Sequence, residues 1–349
     1  MSRSVSAYQP HHRRGGKLIG LAIVFLLILA GAVGGYLWYR GQGSSGNTTS
    51  SNADTDATDQ ENAVKPILVP GDFESIDKAI EAARDNDTIQ LGEGEYDLSA
   101  NLVAGVKISK PLTIRGAGIG KTTLVGKSKS RIGIQINKTD GLVAIEDLTV
   151  SKFAQNGIDI ENPATQITRV QVTGSGNIGI ALRSLPNTTQ ITSSLITDNH
   201  LTGVLSEKSA AVFTNDTIAN NGALGINIQV ADKASADAPT LLNCIVSGHT
   251  RAGVLFHFPA TPEQANITYT DFFGNKDVAL REQDASAVTI KKATVKPGTG
   301  NLTADPKFLD AVSYLLNDAS PLKGKSSTGS DLGAYGTPPG AETVPSPAQ

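Results

Sequence analysis

Four charged residues of this 349-residue chain stand at matching distances from glycines that recur along the sequence. Asp159 and Glu161 lie two and four positions after one such glycine, and Arg183 and Glu207 lie four positions after the next two. Carboxylates with a guanidinium between them could bind a cation, or could pair a general base with an electrostatic stabiliser. A solvent-exposed ladder of charges that merely neutralise one another would give the same pattern. Each interpretation requires a fold that brings these positions together.

The recurring glycines belong to a repeat with three columns of apolar residues. Six of them precede alternating apolar residues at intervals of 24, 22, 24, 22 and 28, namely Gly133, Gly157, Gly179, Gly203, Gly225 and Gly253. Seven residues before five of these glycines are Val150, Val172, Ile196, Ile218 and Val246, and five residues earlier are Ile145, Ile167, Ile191, Phe213 and Leu241. Such short period-two segments predict strands that pair in parallel about 4.8 Å apart and stack into an all-β solenoid, a parallel β-helix of about 22–28 residues per coil.

The repeat places the four charged residues on one surface. If Ile158 and Ile160 point into the solenoid, the alternating residues of the same strand point out of it. Residues at the same offset on successive coils then stack within about 5–10 Å of one another. We therefore take Asp159, Glu161, Arg183 and Glu207 as candidate catalytic or binding residues, and Asp159 and Glu161 as candidate metal ligands.

Turns and side chains between the columns carry weaker signals. Three asparagines lie three positions after Ile196, Ile218 and Phe272, which predicts a ladder of stacked amides in a turn; they are Asn199, Asn221 and Asn275. The five histidines show no spacing typical of metal ligands. Cys244 is the one cysteine, so no intramolecular disulfide can form, and its position in an inward column predicts a small buried side chain.

Both ends of the repeat carry further motifs. Apolar residues that would share one face of a helix predict an N-terminal capping helix. They are Phe73, Ile76, Ala79, Ile80 and Ala83. The opening then contains Asp87-Thr-Ile-Gln-Leu, Gly94-Glu-Tyr and Lys110-Pro-Leu-Thr-Ile-Arg-Gly. The final part contains Asp305-Pro-Lys-Phe-Leu-Asp, Ala319-Ser-Pro-Leu and Asp331-Leu-Gly-Ala-Tyr.

Through these motifs, roughly residues 66–336 resemble the right-handed parallel β-helix proteins of the pectin-lyase-like superfamily. The resemblance implies the fold, but the superfamily includes lyases, esterases, hydrolases, epimerases, phage tailspikes and proteins of unknown role. None of its catalytic signatures matches this sequence residue by residue. We therefore favour binding of a cell-surface or extracellular polysaccharide without catalysis. The alternatives are a polysaccharide lyase or related enzyme, for which calcium would be a possible cofactor, and a structural surface spacer; otherwise we expect no cofactor.

The first part of the chain predicts a membrane anchor. Residues 18–39 are uncharged and, at about 1.5 Å per residue, long enough to cross the ~30 Å hydrocarbon layer. Basic residues precede them, which places residues 1–17 in the cytoplasm and the rest of the chain outside, in a single-pass protein of the cell membrane. A cleaved signal peptide, with Ala30 and Ala32 at the cleavage site, is the alternative. Residues 40–63 predict a disordered linker.

The remaining boundaries and partners follow from composition and charge. Residues 64–336 are the predicted β-helix domain, and the proline-containing residues 337–349 are a predicted disordered tail. The whole chain carries a formal charge of −3 and residues 1–40 carry +5, so the remainder carries −8, which excludes general nucleic-acid binding. Eight basic residues and no acid lie in residues 98–139, where they could attract an anionic envelope polymer or could only solubilise the turns.

Overall fold

The computed structural model describes residues 65–286, 289–295 and 300–336. The predicted cytoplasmic, membrane-spanning, linker and tail segments lie outside these described residues; they are residues 1–17, 18–39, 40–63 and 337–349. No helix within the described ranges is long and apolar enough to span a membrane.

The described residues form a solenoid with three parallel faces, and a complete coil contributes a strand to each face. The first face contains β1 (Ile67–Val69), β2 (Thr88–Leu91), β5 (Leu112–Arg115), the first halves of β8 (Val143–Ser151) and β10 (Thr165–Thr173), β12 (Gln190–Thr192), β15 (Val212–Thr214), β18 (Thr240–Leu242) and β21 (Asn266–Thr268).

The second face contains β3 (Gly94–Asp97), β6 (Thr122–Val125), the second halves of β8 and β10, β13 (Leu195–Thr197), β16 (Thr217–Ala219), β19 (Ile245–Ser247) and β22 (Asp271–Phe273). The third face contains β4 (Ala104–Ile108), β7 (Ile132–Ile136), β9 (Asn156–Ile160), β11 (Ile178–Arg183), β14 (Thr202–Glu207), β17 (Leu224–Gln229), β20 (Ala252–Phe256) and β23 (Asp277–Glu282). At its end β24 (Ile290–Ala293) pairs antiparallel with β23.

The three predicted columns are confirmed as the interior of the solenoid. On the first face Ile145 pairs with Ile167, and the column continues through Ile191, Phe213 and Leu241, all fully buried. The second-face column runs in the same way from Val150 to Val246, and the third-face column contains Ile134, Ile158, Ile180, Val204, Ile226 and Val254. Constant register from coil to coil makes each column one continuous apolar ridge.

The repeated glycines are required where the second and third faces approach each other. A Cβ atom added to Gly157 would lie 2.2 Å from Cγ1 of Val172 and 2.8 Å from the carbonyl oxygen of Gly179. Both distances are below van der Waals contact, so any side chain would force the faces apart. The glycine column is therefore set by packing, which explains its strict recurrence in the sequence.

The predicted asparagine ladder is present at the bend between the second and third faces. Asn199 Nδ2 donates to Asn221 Oδ1 at 2.9 Å, and Asn221 Nδ2 lies 3.3 Å from His249 Nε2. His249 Nδ1 in turn lies 2.6 Å from Asn275 Oδ1. Burial lowers the pKa of His249 to about 4, so its neutral ring accepts at Nε2 and donates at Nδ1. His249 thus occupies the position in the ladder between Asn221 and Asn275.

One helix, α1 (Ile76–Ala82), lies in the predicted N-terminal position. Ser75 is its N-cap residue and accepts a hydrogen bond from the backbone of Lys78 at 3.4 Å. The helix buries Ile76, Ala79 and Ile80, three of the five residues of the predicted apolar face, because these positions share one side of a helix. Its function as a cap on the first coil stays a prediction.

Residues 300–336, here called the C-terminal strap, fold back over the outward surface of the second face. Tyr314 and Ala334 pack against Leu195 and Ala219. A second cluster joins Ile245 of the second face to Leu322 and Leu332 of the C-terminal strap, together with Leu302, Ala304, Phe308 and Leu316. The sequence predicted the solenoid but not this covering of one of its faces.

Hydrogen bonds fix the C-terminal strap in place. The Tyr314 hydroxyl donates to Asp198 Oδ2 and accepts from Asn220 Nδ2, each at 2.9 Å. The Ala334 backbone donates to Thr217 Oγ1 at 3.0 Å. Since Tyr314 is 2% exposed, its hydroxyl depends on these protein partners rather than on water.

Candidate functional site

The four predicted site residues lie on the outward surface of the third face, and we call them the third-face strip: Asp159, Glu161, Arg183 and Glu207. Strands β9, β11 and β14, which carry them, are neighbours in the sheet. Arg183 pairs in register with Glu207, and Glu161 directly follows the strand residue that pairs with Leu182. The offset argument from the glycines therefore places the four residues correctly on three successive coils.

Arg183 and Glu207 form an ion pair at the centre of the third-face strip. Nη1 of Arg183 lies 2.7 Å from Oε2 of Glu207, and the two side chains are 38% and 37% exposed. Exposed pairs of this kind stabilise a fold by only about 0–1 kcal/mol, since water screens them and ordering two long side chains costs entropy. The pair therefore contributes little to the fold and is accessible to a ligand.

Asp159 lies in a more buried environment, next to Asn156. Asn156 Nδ2 donates to Asp159 Oδ1 at 2.8 Å. Burial raises the pKa of Asp159, while this hydrogen bond and the positive charge of Arg183 act in the opposite direction. Asn156 is itself 7% exposed, and its Oδ1 is buried without a hydrogen-bond partner in the described part of the chain. A buried acceptor without a hydrogen-bond partner is uncommon and costs free energy, so the environment of Asn156 is unusual for a folded protein.

Asn156 was not identified from the sequence, although a signal for it exists. It occupies the position immediately before a repeat glycine, where the other coils carry Ile132, Ile178, Thr202, Leu224 and Ala252. Asparagine is the one amide in this column, and β-strands are depleted in it. Comparing each outward column across the coils would have singled it out.

A second polar pair lies farther along the same outward surface. His257 Nδ1 lies 2.5 Å from Oε2 of Glu282, which also accepts from the backbone of Phe258 at 3.4 Å. The Glu282 side chain is 7% exposed, whereas that of His257 is 42% exposed. A nearly buried carboxylate therefore orients an accessible imidazole, whose Nε2 atom takes no part in this contact. Sequence spacing did not reveal this pair.

The metal and catalytic roles of the third-face strip stay predictions. No group of three or more histidine, cysteine, aspartate or glutamate side chains among the described residues is arranged to hold a metal ion. Asp159 and Glu161 provide at most four carboxylate oxygens, which is fewer than the six to eight oxygen ligands of a calcium site. Ligand oxygens would have to complete such a site.

The basic residues of the early coils are partly neutralised by acids of neighbouring coils. Lys127 contacts Asp97 at 2.7 Å and Lys121 contacts Glu93 at 3.4 Å. Arg115 lies 2.7 Å from Glu146 in the same way. The run of bases in residues 98–139 therefore does not form one uncompensated cationic surface. Cys244 is buried and free, as predicted, and burial raises the pKa of its thiol.

Comparisons with known proteins agree with the fold. A family model described as "Right handed beta helix region" matches residues 132–296. No curated protein sequence matches this chain.

Similar solved structures include three proteins with low sequence identity. Pectate lyase Pel9A is 10% identical, with a TM-score of 0.44, over 78% of this chain and 95% of that one. The tailspike protein gp49 from Acinetobacter baumannii bacteriophage Fri1, a capsular polysaccharide depolymerase, is 15% identical, with a TM-score of 0.42. The match covers 61% of this chain and 46% of that one. A pectin methylesterase from Aspergillus niger is 11% identical, with a TM-score of 0.39. The match covers 66% of this chain and 91% of that one.

These likenesses say nothing about catalysis in this chain, because one fold supports many functions. The matching family model and the three parallel faces do identify the architecture. The described residues form a right-handed parallel β-helix.

Proposed function

We propose that this protein binds a polysaccharide, without catalysis, on the outward surface of its third face at the third-face strip. The observation that carries the proposal is the register of β9, β11 and β14, which turns residues 22 and 24 positions apart into one polar patch. A polysaccharide is itself a repeating chain. A surface that repeats every ~4.8 Å can meet several sugar units, each with a modest contribution.

The contacts within the patch favour binding over proton transfer. Glu207 is already paired with Arg183, and Asp159 already accepts from Asn156. These partners hold the side chains in fixed orientations, which reduces the entropy lost when a ligand binds. A polysaccharide lyase is the alternative; formation of unsaturated products, followed by ultraviolet absorbance, would establish it.

Replacing Arg183 tests the proposed location. We expect Arg183→Ala to weaken polysaccharide binding by about 1–3 kcal/mol, the scale of losing a hydrogen bond to a charged group. Co-sedimentation or calorimetry with a panel of polysaccharides measures the affinity of the variant and of the wild type. Arg115→Ala is the matched control, because Arg115 also contacts a glutamate at 2.7 Å but lies on the first face.

The results that contradict the location are distinct. Equal losses in both arginine variants would show a general charge effect rather than a site on the third face. Loss of binding on replacement of Lys127 and Lys129, with Arg183→Ala unchanged, would move the site to the basic turns. Binding to no polysaccharide in the panel would leave the structural spacer as the remaining function.

The proposed localisation rests on the N-terminal sequence. The uncharged residues 18–39 and the +5 charge of residues 1–40 support a single-pass anchor with the β-helix domain outside. Protease added to intact cells is expected to release that domain by cutting within residues 40–63. Protection until the cells are lysed would reverse the topology, and recovery of the mature protein without residues 1–32 would establish a cleaved signal peptide.

A further inference from the structure

We infer that the C-terminal strap is a pH-sensitive cover, held most firmly on the second face at acidic pH and opening more often as the pH rises towards 7.5. The titrating device is the junction between Asp271 of β22 and Ala304 of the C-terminal strap. It regulates the exposure of an apolar surface on the second face, and it does not depend on the polysaccharide site proposed for the third face.

The C-terminal strap begins with a parallel bridge to the last strand of the second face, in which Leu302 pairs with Asp271. The Leu302 backbone donates to the carbonyl of Thr270 at 3.0 Å, and the Phe272 backbone donates to the carbonyl of Leu302 at 2.9 Å. The Asp271 side chain adds a further bond, because its Oδ1 accepts from the Ala304 backbone at 2.8 Å. Asp271 therefore lies where the C-terminal strap starts to cover the second face.

The surroundings of the Asp271 carboxyl favour its neutral form. The side chain is fully buried, and its Oδ2 has no hydrogen-bond partner in the described part of the chain. Ionisation would therefore leave a charged oxygen without a donor and without water, which costs free energy. Burial raises the pKa of Asp271 to about 6, although the bond from Ala304 opposes the change.

The charge that acts on this carboxyl comes from the C-terminal strap itself. Asp305 repels the ionised form of Asp271 and so raises its pKa further. On the neighbouring coil Asp271 pairs with Ile245, and its backbone donates to the carbonyl of Cys244 at 2.9 Å. Burial raises the pKa of the Cys244 thiol, so that group stays neutral. Closing the strap thus places a carboxyl among apolar groups and one like charge.

The direction of the pH effect follows from these contacts. Opening exposes Asp271 to water and returns its pKa to the ~3.9 of an ordinary aspartate. Between that value and about 6 the closed form binds a proton that the open form does not. The contribution of Asp271 to closure is therefore complete below about pH 4 and is lost as the pH rises through 6. From pH 5 to pH 7.5 the ratio of open to closed molecules rises about tenfold.

Opening uncovers an apolar surface, so the open form stays a minor population. Leu195, Ala219 and Ile245 are at most 1% exposed while the C-terminal strap covers them. Exposing such side chains to water is unfavourable at every pH. Asp198, which accepts from the Tyr314 hydroxyl, acts in the same direction as Asp271, because burial raises its pKa as well. The pH therefore adjusts how often the cover opens without removing it.

Hydrogen exchange of the full chain, measured by mass spectrometry at pH 5 and pH 7.5, tests the inference. Dividing each rate by the intrinsic rate at the same pH leaves the protection that reports opening. We expect the protection of residues 300–336 to fall about tenfold from pH 5 to pH 7.5, while strands β9 and β11 of the third face keep theirs. An equal fall in the third face would indicate global unfolding. That result, or a strap that is no less protected at pH 7.5, would overturn the inference.

Two variants at the junction locate the titrating group. Asp271→Asn keeps an acceptor for Ala304 but cannot ionise, so we expect its protection to fall by no more than about twofold, the share left to Asp198. Asp305→Asn removes the like charge and should reduce the fall from about tenfold to about fivefold. Asp318→Asn is the control on the same strap and should keep the tenfold fall. The Lys323 side chain lowers the pKa of Asp318, so this carboxylate is ionised at both pH values.

The variants also decide against the inference if they behave differently. A tenfold fall that persists in both Asp271→Asn and Asp305→Asn would show that another group opens the strap. If Asp271→Asn does not fold, Asp305→Asn decides alone, because position 305 is exposed and tolerates an amide.

Discussion

The second and third faces are built by the same coils, yet the outward surface under the C-terminal strap differs in chemistry from the outward surface at the third-face strip. On the second face Leu195 and Ile245 point outward and are nearly fully buried under the C-terminal strap. On the third face Arg183 and Glu207 point outward and stay about one-third exposed. The inward columns are alike on both faces. Farther along the third face the outward residues Leu255 and Leu280 are also buried in an apolar cluster, so the contrast applies to the coils that carry the third-face strip.

The outward residues of the two surfaces also contribute different amounts to the stability of the fold. Burying a leucine or isoleucine side chain stabilises a fold by about 1.5–3 kcal/mol, whereas an exposed ion pair contributes about 0–1 kcal/mol. Substitutions in the second face should therefore change stability, and substitutions in the third-face strip should change binding. This separation is what the following predictions test.

The largest effect is expected inside the second face. Ile196 is fully buried between Val172 and Ile218 of the neighbouring coils. Ile196→Asp would place an unpaired carboxyl in the apolar column and lower the free energy of unfolding by roughly 3 kcal/mol or more. Thermal or denaturant unfolding measures it. Gln190→Asp, at an exposed position, is the control with a change below about 0.5 kcal/mol.

An unchanged melting temperature for Ile196→Asp would mean that the second-face column is not the interior of the protein. The register of all three faces would then be wrong, since a shift of one residue exchanges inward and outward side chains.

A smaller effect is expected where the C-terminal strap meets the second face. Tyr314→Phe removes the hydroxyl that joins Asp198 and Asn220, and should lower the free energy of unfolding by about 1–3 kcal/mol. Polysaccharide binding should stay at the wild-type level, because the third face is untouched. Arg183→Ala should show the reverse, with lost binding and a stability change below about 1 kcal/mol. Weaker binding in Tyr314→Phe would show that the two faces are coupled.

The sequence predicted the inward columns because their register is constant and periodic. It did not predict the C-terminal strap, because residues 300–336 carry no repeat and their contacts lie far away in the chain. Outward apolar residues such as Leu195 and Ile245 were the available signal, since a solvent-exposed strand face is usually polar. Burial of an outward column depends on what covers it, which periodicity alone does not specify.

The sequence predicted the stacking of the candidate site residues but not their side-chain contacts. Equal offsets from the glycines placed Asp159, Glu161, Arg183 and Glu207 together, because stacking follows from the repeat. The orphaned oxygen of Asn156 and the contact between His257 and Glu282 depend on side-chain orientation and burial. Those are consequences of packing in three dimensions, and spacing along the chain does not contain them.

The smallest effect is expected at the bend that joins the two faces, where His249 lies among the amides of the ladder. Burial lowers its pKa to about 4 in the folded protein, below the ~6.5 of an exposed histidine. Between these values the unfolded chain binds a proton that the folded protein does not. Stability is therefore complete above about pH 6.5 and is lost as the pH falls towards 4, by on the order of 1–2 kcal/mol at pH 5.

His249→Asn should remove this pH dependence, because an amide continues the ladder of Asn199, Asn221 and Asn275 without taking up a proton. Melting temperatures at pH 7.5 and pH 5 measure the difference, and we expect the variant to lose less stability than the wild type on acidification. His200→Asn, at an exposed position, is the control and should keep the wild-type dependence. An equal loss in the wild type and in His249→Asn would mean that His249 is charged in the folded state. The ladder would then have to accept a cation between two amides, and the bend would be held by a different set of hydrogen bonds.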